Sequence, residues 1–328
     1  MEKLKNYISG KWVDSNSKEF IDVINPANQE VLAKVPYGKG TVKDVQKAIE
    51  SGHLAYLEWK DVPTMKRVQP LFKLKTLLEK NKHQIAKIIT TECGKTLKES
   101  EGEIQRAIEN VEVACGSYVM NQSEFSENIA PGIDEFMIRQ PLGVCGCITP
   151  FNFPGMIPFW FLPYAIATGN AFIIKPSEKV PLTMRFIIEL IDKHLDLPEG
   201  LISMVHGGKE SVDQILENSK VKAISFVGSS EVAKYIYSQA SKNGKRVQAQ
   251  GGAKNPLVIM PDVDLETTTQ IIIDSVYGCA GQRCLAASVI IPICDDKGLL
   301  KESLIGVSKL SLFLKLSCLI SSTSFFRS

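Results

Sequence analysis

The chain has 328 residues, 44% hydrophobic and 23% charged, the balance of a soluble globular protein long enough for two or three domains. Its 38 basic and 36 acidic side chains leave a formal charge of +2, which argues against nucleic acid or an acidic polymer as partner. Eight irregularly spaced cysteines do not form a disulfide framework, and Met1–Asn6 lacks the apolar run of a secretory signal, so the expected compartment is the cytoplasm.

Residues 1–40 read as short strands and turns, with Tyr7–Val13 as a hairpin and Asn25-Pro26 as a turn. Thr41 with Asp44 resembles a helix N-cap, and Val42, Val45, Ala48 and Ile49 follow at helical spacing. Helices are expected over about 64–92 and 95–118, broken at Gly94. Residues 119–141 form a polar interruption suited to an excursion toward a partner subunit.

From residue 142 strands and helices alternate. Val144–Ile148, Ala171–Ile174, Leu201–Val205, Ala223–Val227 and Leu257–Ile259 read as strands; 154–168, 182–194, 209–217 and 229–241 read as helices. This alternation predicts an α/β fold with a doubly wound parallel sheet. Cys145 and Cys147 make a C-x-C pair on one strand face, but no His or Cys cluster completes a set of ligands, so no metal is expected. The last thirty residues hold eight serines, eight leucines and one acid, Glu302; Lys309 and Lys315 interrupt the apolar run and argue against a membrane anchor. That composition is the kind produced by translation through a frameshift or a non-coding segment.

Three loops fall just past expected strand ends, where α/β sheets place ligands. Asn152, in Pro150-Phe151-Asn152-Phe153-Pro154, is an amide able to donate to an oxyanion, or else a structural turn residue. Lys175-Pro176-Ser177-Glu178 sets a lysine and a carboxylate three apart, suited to the hydroxyls of an adenosine ribose or to a solvated turn. Gly228-Ser229 opens a helix whose free amides can hold a pyrophosphate, although the run is not G-x-G-x-x-G. Downstream, Cys284 lies in Gly281-Gln282-Arg283-Cys284, with small residues around it and Arg283 as its sequence neighbour. A nearby cation favours the nucleophilic thiolate, whereas the plain alternative is a buried cysteine at a helix end.

Together Asn25-Pro26, Pro150–Pro154, Lys175–Glu178, Gly228-Ser229 and Gly281–Cys284 resemble the NAD-dependent aldehyde dehydrogenase superfamily over about residues 6–292. The chain is most similar to its CoA-acylating branch, the methylmalonate-semialdehyde dehydrogenases. Hydrolytic members carry a glutamate in an E-L-G-G-K motif, whereas the matching run here begins at Gln250, which cannot accept a proton at neutral pH. Arg106 matches the arginine on a helix of the branch, and Arg283 is a second cation for a substrate carboxylate. The alternative for Arg106 is a surface pairing with Glu103 or Asn110.

The resemblance implies that Cys284 attacks a semialdehyde, that Asn152 and the Cys284 amide hold the oxyanion, and that coenzyme A receives the acyl group. It puts Lys175, Glu178 and Lys179 on the adenosine ribose of NAD, Gly228 and Ser229 on the pyrophosphate, and Thr149, Phe151 and Gly251 on the nicotinamide half. It also implies an NAD-binding domain over 1–121 and 142–252, an oligomerisation excursion at 122–141, the start of a catalytic domain at 253–293, an aberrant tail at 294–328, and a homo-oligomer in full-length members. The E-I-F-G-P-like motif and the closing strand of the family are not found after Ile293, so C-terminal truncation is expected. Two alternatives remain open: a non-catalytic NAD-binding remnant, and a hydrolytic enzyme with an altered base.

Overall fold

A computed structural model describes residues 1–293, and the expected tail at 294–328 lies outside the described residues. The chain divides into two compact units, Met1–Gly251 and a second that begins at Gly252.

The first unit opens with strands β1 (Asn6–Ile8), β2 (Lys11–Val13), β3 (Glu19–Ile24) and β4 (Val31–Tyr37). Helices α1 (Thr41–Trp59), α2 (Thr64–Arg67), α3 (Gln69–Cys93), α4 (Leu97–Cys115) and α5 (Ser117–Met120) follow. A hairpin of β5 (Glu124–Ala130) and β6 (Ile133–Met137) precedes the alternating half. That half runs β7 (Val144–Ile148), α6 (Leu162–Ala167), β8 (Ala171–Lys175), α7 (Leu182–His194), β9 (Ile202–Met204), α8 (Lys209–Glu217), β10 (Val221–Val227), α9 (Ser230–Lys242) and β11 (Arg246–Gln250). The second unit holds β12 (Asn255–Ile259), α10 (Leu265–Tyr277) and β13 (Ala287–Pro292).

The main sheet has the order β11-β10-β7-β8-β9-β1-β2, with β11 through β9 parallel and β1 antiparallel to both neighbours. This is the doubly wound parallel sheet expected from the sequence alternation. From β7 the chain builds outward through β8 and β9, then returns to add β10 and β11 on the other side. The order therefore reverses between β7 and β10, and ligands in such sheets bind at the carboxyl ends of strands flanking the reversal. Every residue of β8 is buried, as a strand covered on both faces requires. Gly146 lets α8 close on the sheet, since a side chain there would overlap Ile215 and come within 3.2 Å of Ile224.

Several expectations need correction. Thr41 is not the N-cap of α1; Gly40 holds that place, and the Thr41 hydroxyl donates to the Gly38 carbonyl at 2.8 Å. Asp44 is drawn away instead to Ser15 at 2.5 Å and to the Asn16 amide at 3.2 Å. The helix expected over 64–92 breaks at Val68, and that over 95–118 breaks at Gly116. Over 154–168, Pro158 and Pro163 divide the expected helix into one 3-10 turn (Ile157–Trp160) and α6. The Tyr7–Val13 hairpin forms as read: Ser9 and Gly10 take φ of 53° and 68°, the left-handed pair of a two-residue hairpin turn.

Candidate functional site

The loops at the carboxyl edge of the parallel strands in the first unit come together as follows. Thr149, one residue past β7, is buried and donates its amide to the Lys175 carbonyl of β8 at 3.2 Å. Phe151 and Asn152 follow, both half-buried. Lys179 closes the gap from the β8 side, its Nζ 5.2 Å from the centre of the Phe151 ring, a cation–π distance. The loop after β7 and the loop after β8 thus form one wall.

Within the second loop, Lys175 Nζ donates to the Pro176 carbonyl at 3.0 Å, to the Gly207 carbonyl at 2.9 Å and to Glu178 Oε2 at 3.3 Å. Burial lowers the Lys175 ammonium below the usual lysine range, and Glu178 works against that shift. The lysine is fixed and buried while the Glu178 carboxylate remains about a third exposed, so a hydroxyl-bearing ligand reaches the pair through Glu178. Three atoms already orient the Lys175 ammonium, which removes much of the entropy cost of presenting it.

Across the strand reversal, the Gly228 amide donates to the Gln250 carbonyl at 3.0 Å, tying the end of β10 to the end of β11. Ser229 caps α9, its hydroxyl accepting from the Val232 amide at 3.4 Å. A side chain at Gly251 would meet the Ser230 backbone at 3.1 Å, so glycine keeps this corner open. The positive end of α9 and the bare Gly228 and Gly251 backbone suit a phosphate. Together, the Lys175–Glu178 pair and this cradle fit the ribose and phosphate halves of a dinucleotide.

Arg106 lies on α4 with its side chain exposed. The pairing with Glu103 considered from sequence is not made, because Glu103 is fully buried against Lys95. The Asn110 side-chain amide instead donates to the Arg106 main-chain carbonyl at 2.9 Å. Sequence reading passed over Glu92, Cys93 and Lys95 and took Glu103 only as a surface partner, yet all four hold the site loops from behind. The signal was present: Glu103 falls in register with Ser100, Ala107, Val111 and Ala114 on the buried stripe of α4. Glu92 likewise continues the buried series Leu78, Ile85 and Ile89 of α3.

In the second unit, β12 and β13 pair in parallel, and Leu257, Ile259 and Ile290 pack with Ile272 and Val276 of α10. The candidate nucleophile lies between α10 and β13. Cys279, Ala280 and Gly281 take φ of 53°, 54° and 73°, and the chain then turns through Cys284. Left-handed backbone at two consecutive non-glycine residues is uncommon and strained. Asn255 fixes the far side of the turn, donating to the carbonyls of Cys284 at 2.6 Å and Ala286 at 3.0 Å. The Cys284 thiol is free and half-buried, so it is not the buried structural cysteine of the plain alternative. The Arg283 guanidinium reaches back over Gly278 toward the Asp274 carbonyl, at 3.5 Å. In β7, Cys145 and Cys147 are also free, and burial pushes the Cys145 thiol up to about 12, which keeps it protonated and inert.

Comparison with known proteins gives a consistent result. The profile of the aldehyde dehydrogenase family matches residues 12–292. The chain is 46% identical over 296 residues to a malonate-semialdehyde dehydrogenase of Pseudomonas aeruginosa, covering 90% of this chain and 59% of that one. It is 47% identical over 298 residues to malonate-semialdehyde dehydrogenase 1 of Bacillus licheniformis, with 90% and 61% covered. Among solved structures, the methylmalonate-semialdehyde dehydrogenase of Oceanimonas doudoroffii superposes with a TM-score of 0.89 at 39% identity, covering 96% of this chain and 63% of that one. A protein assigned the same activity from Sinorhizobium meliloti, crystallised with NAD, gives a TM-score of 0.89 at 40% identity, with 94% and 62% covered. The chain thus spans about three fifths of the length of the relatives it matches. Among the described residues no helix is long and apolar enough to cross a membrane.

Proposed function

Because the chain belongs to the aldehyde dehydrogenase family, we propose that it is built for NAD-dependent, CoA-acylating oxidation of methylmalonate or malonate semialdehyde. The observation that carries this reading is the gathering of Thr149–Asn152, Lys175–Lys179, Gly228-Ser229 and Gln250-Gly251 at one sheet edge, where the strand order reverses. Lys175 and Glu178 hold the adenosine ribose, and a 2′-phosphate beside the Glu178 carboxylate is disfavoured, which selects NAD over NADP. Gly228 and Ser229 take the pyrophosphate; Thr149, Phe151 and Gly251 line the nicotinamide half.

Cys284 supplies the nucleophile. Its thiolate adds to the aldehyde carbon, and the Asn152 amide and the Cys284 main-chain N–H are the donors for the oxyanion so formed. Bound NAD⁺ supplies the hydride acceptor, and the carbon left on Cys284 is then a thioester. Gln250 occupies the position of the water-activating base and cannot take a proton, so the thioester persists until a thiol displaces Cys284. Coenzyme A is that thiol: it takes the acyl group and Cys284 returns as the thiolate, while the bond from the α-carbon to the substrate carboxylate breaks, CO₂ leaves, and the α-carbon takes up the proton that the coenzyme A thiol gave up. The products are propionyl-CoA or acetyl-CoA. Arg106 and Arg283 provide the cations that select a carboxylate-bearing aldehyde. The exposed β5–β6 hairpin is the surface for subunit association.

The test is NADH formation by the purified 328-residue chain with methylmalonate semialdehyde, NAD⁺ and CoA, beside Cys284→Ala. Turnover that needs both CoA and Cys284 establishes the acylating enzyme. Turnover without CoA favours a hydrolytic enzyme. Binding of NAD without turnover favours a non-catalytic NAD-binding remnant.

A further inference from the structure

The junction between α3 and α4 carries three buried ionisable side chains, Glu92, Lys95 and Glu103, at 3%, 5% and 0% exposure. Such burial is costly unless each charge is fully matched, and apolar residues would pack the same space at lower cost. Their partners show a common pattern. The two Glu92 oxygens accept from the amides of Leu182 and Thr183 at 2.7 and 2.8 Å. Those amides open α7, three and four residues beyond Lys179. Glu103 Oε1 accepts from the amides of Gly155 and Met156 at 2.7 and 3.1 Å, three and four residues beyond Asn152.

Lys95 binds the second oxygen of Glu103, and its Nζ lies 4.0 Å from the centre of the Phe153 ring. Cys93 adds a thiol donation to the Phe151 carbonyl at 3.5 Å. Four side chains from one short stretch plus one turn of α4 therefore grip both site loops from behind. Gly155 completes the fit: a side chain there would sit 2.5 Å from Ile104 Cδ1, 2.9 Å from Ile89 Cδ1 and 3.3 Å from Glu103 Oε1. Gly94 sets the junction itself, ending α3 at φ 80° with its amide on the Thr90 carbonyl. Glu103 also lies one turn from Arg106, so the grip that fixes the Asn152 loop fixes the rotation of the helix bearing Arg106.

We infer that Glu92, Lys95 and Glu103 are positioning residues that hold the Asn152 loop, the Lys175–Lys179 loop and helix α4 in one fixed relation. The inference deepens the dinucleotide reading above and rests on it only for the binding readout. It is tested with two neutral pairs in the intact chain. Lys95→Met/Glu103→Leu removes both charges and the acceptor oxygen. Lys95→Met/Glu103→Gln removes both charges but keeps an oxygen for Gly155 and Met156.

Hydrogen exchange over residues 150–157 and NAD titration are read in parallel. The Leu pair is expected to exchange about tenfold faster in that segment and to bind NAD about tenfold more weakly, while the Gln pair stays close to native in both. A role in packing alone would not separate the two pairs. Equal behaviour of both pairs overturns the inference, and so do unprotected Gly155 and Met156 amides in the native chain, a readout that needs no variant. A native chain that fails to bind NAD sinks the dinucleotide reading, and the exchange comparison still decides the positioning role.

Discussion

Glu92 makes a quantitative prediction, because its carboxyl group is buried and its pKa is raised to about 7. Burial is the main cause, and the hydrogen bonds from Thr183 and Leu182 pull the other way. In the unfolded chain the group titrates near the usual glutamate value of about 4.3. The folded state therefore binds this proton more tightly, and stability falls as pH rises between those two values. Below about pH 4 both states are protonated, and above about pH 8 both are ionised, so the contribution is flat outside the window. A shift of about 2.7 units at about 1.4 kcal/mol each amounts to about 4 kcal/mol over the whole window.

Glu92→Gln removes the titration while keeping the shape, and mimics the protonated form at every pH. The difference in unfolding free energy, native minus variant, should then fall by about 3 kcal/mol between pH 4.5 and 8. Taking the difference cancels the other titrating groups. Urea unfolding followed by tryptophan fluorescence suits the measurement, because Trp12, Trp59 and Trp160 all lie in the first unit with Glu92. Two parallel curves with a constant offset would refute the reasoning, since they would mean that Glu92 keeps the same charge in both states.

Three further outcomes are expected. Lys175→Met removes a buried ammonium held by Pro176, Gly207 and Glu178, and should weaken NAD binding about 10- to 100-fold, as isothermal titration would measure; native affinity would remove Lys175 from the site. Gly155→Ala drives a methyl into Ile104 and Ile89, which are fully buried, and should cost about 1–3 kcal/mol in the same urea assay; a neutral result would mean that α3 and α4 yield freely at that point. Phe125 and Phe136 face each other across the β5–β6 hairpin at 65% and 67% exposure, so Phe125→Glu/Phe136→Glu should reduce the sedimentation coefficient if the hairpin joins subunits, and an unchanged coefficient would remove it from any interface.

What was legible in the sequence follows from how local each cause is. The strands β7 and β8 are continuous apolar runs, and α8 carries its own periodicity, so these elements lie where periodicity puts them. Lys175 and Glu178 meet because they stand three apart with a proline between them, which is again local. The misread N-cap had a cause at a distance: Asp44 serves Ser15 and Asn16, 29 and 28 residues away, so the pattern at Thr41 and Asp44 did not report their partners. The same holds for the loop grip. Glu103 and Glu92 reach amides 52 to 91 residues downstream, and on a helix their charge reads as a solvated face until their neighbours on the buried stripe are counted. The β5–β6 hairpin was hidden for the opposite reason: almost all of its residues are exposed, so no buried face imposed an alternation on the sequence.

The two units differ in how completely their surroundings define them, and that difference separates binding from chemistry. The residues proposed for the dinucleotide all lie at the edge of the seven-stranded sheet, backed by a continuous core that includes Ile89, Ile104, Phe159 and Phe172. Cys284 stands on a two-stranded parallel sheet whose second face leaves Val258 and Ile291 paired at 53% and 41% exposure. Parallel strands gain their stability from cover on both faces, and among the described residues this face has little. The strained Cys279–Gly281 backbone needs surroundings that over-determine it, and Asn255 supplies two hydrogen bonds toward that end. Under the proposed assignment nucleotide affinity reports the first unit, while turnover also reports how far the second unit holds the thiol in place; a chain that binds NAD tightly and turns over slowly would then locate the deficit in the Cys284 turn and not in the proposed cofactor loops.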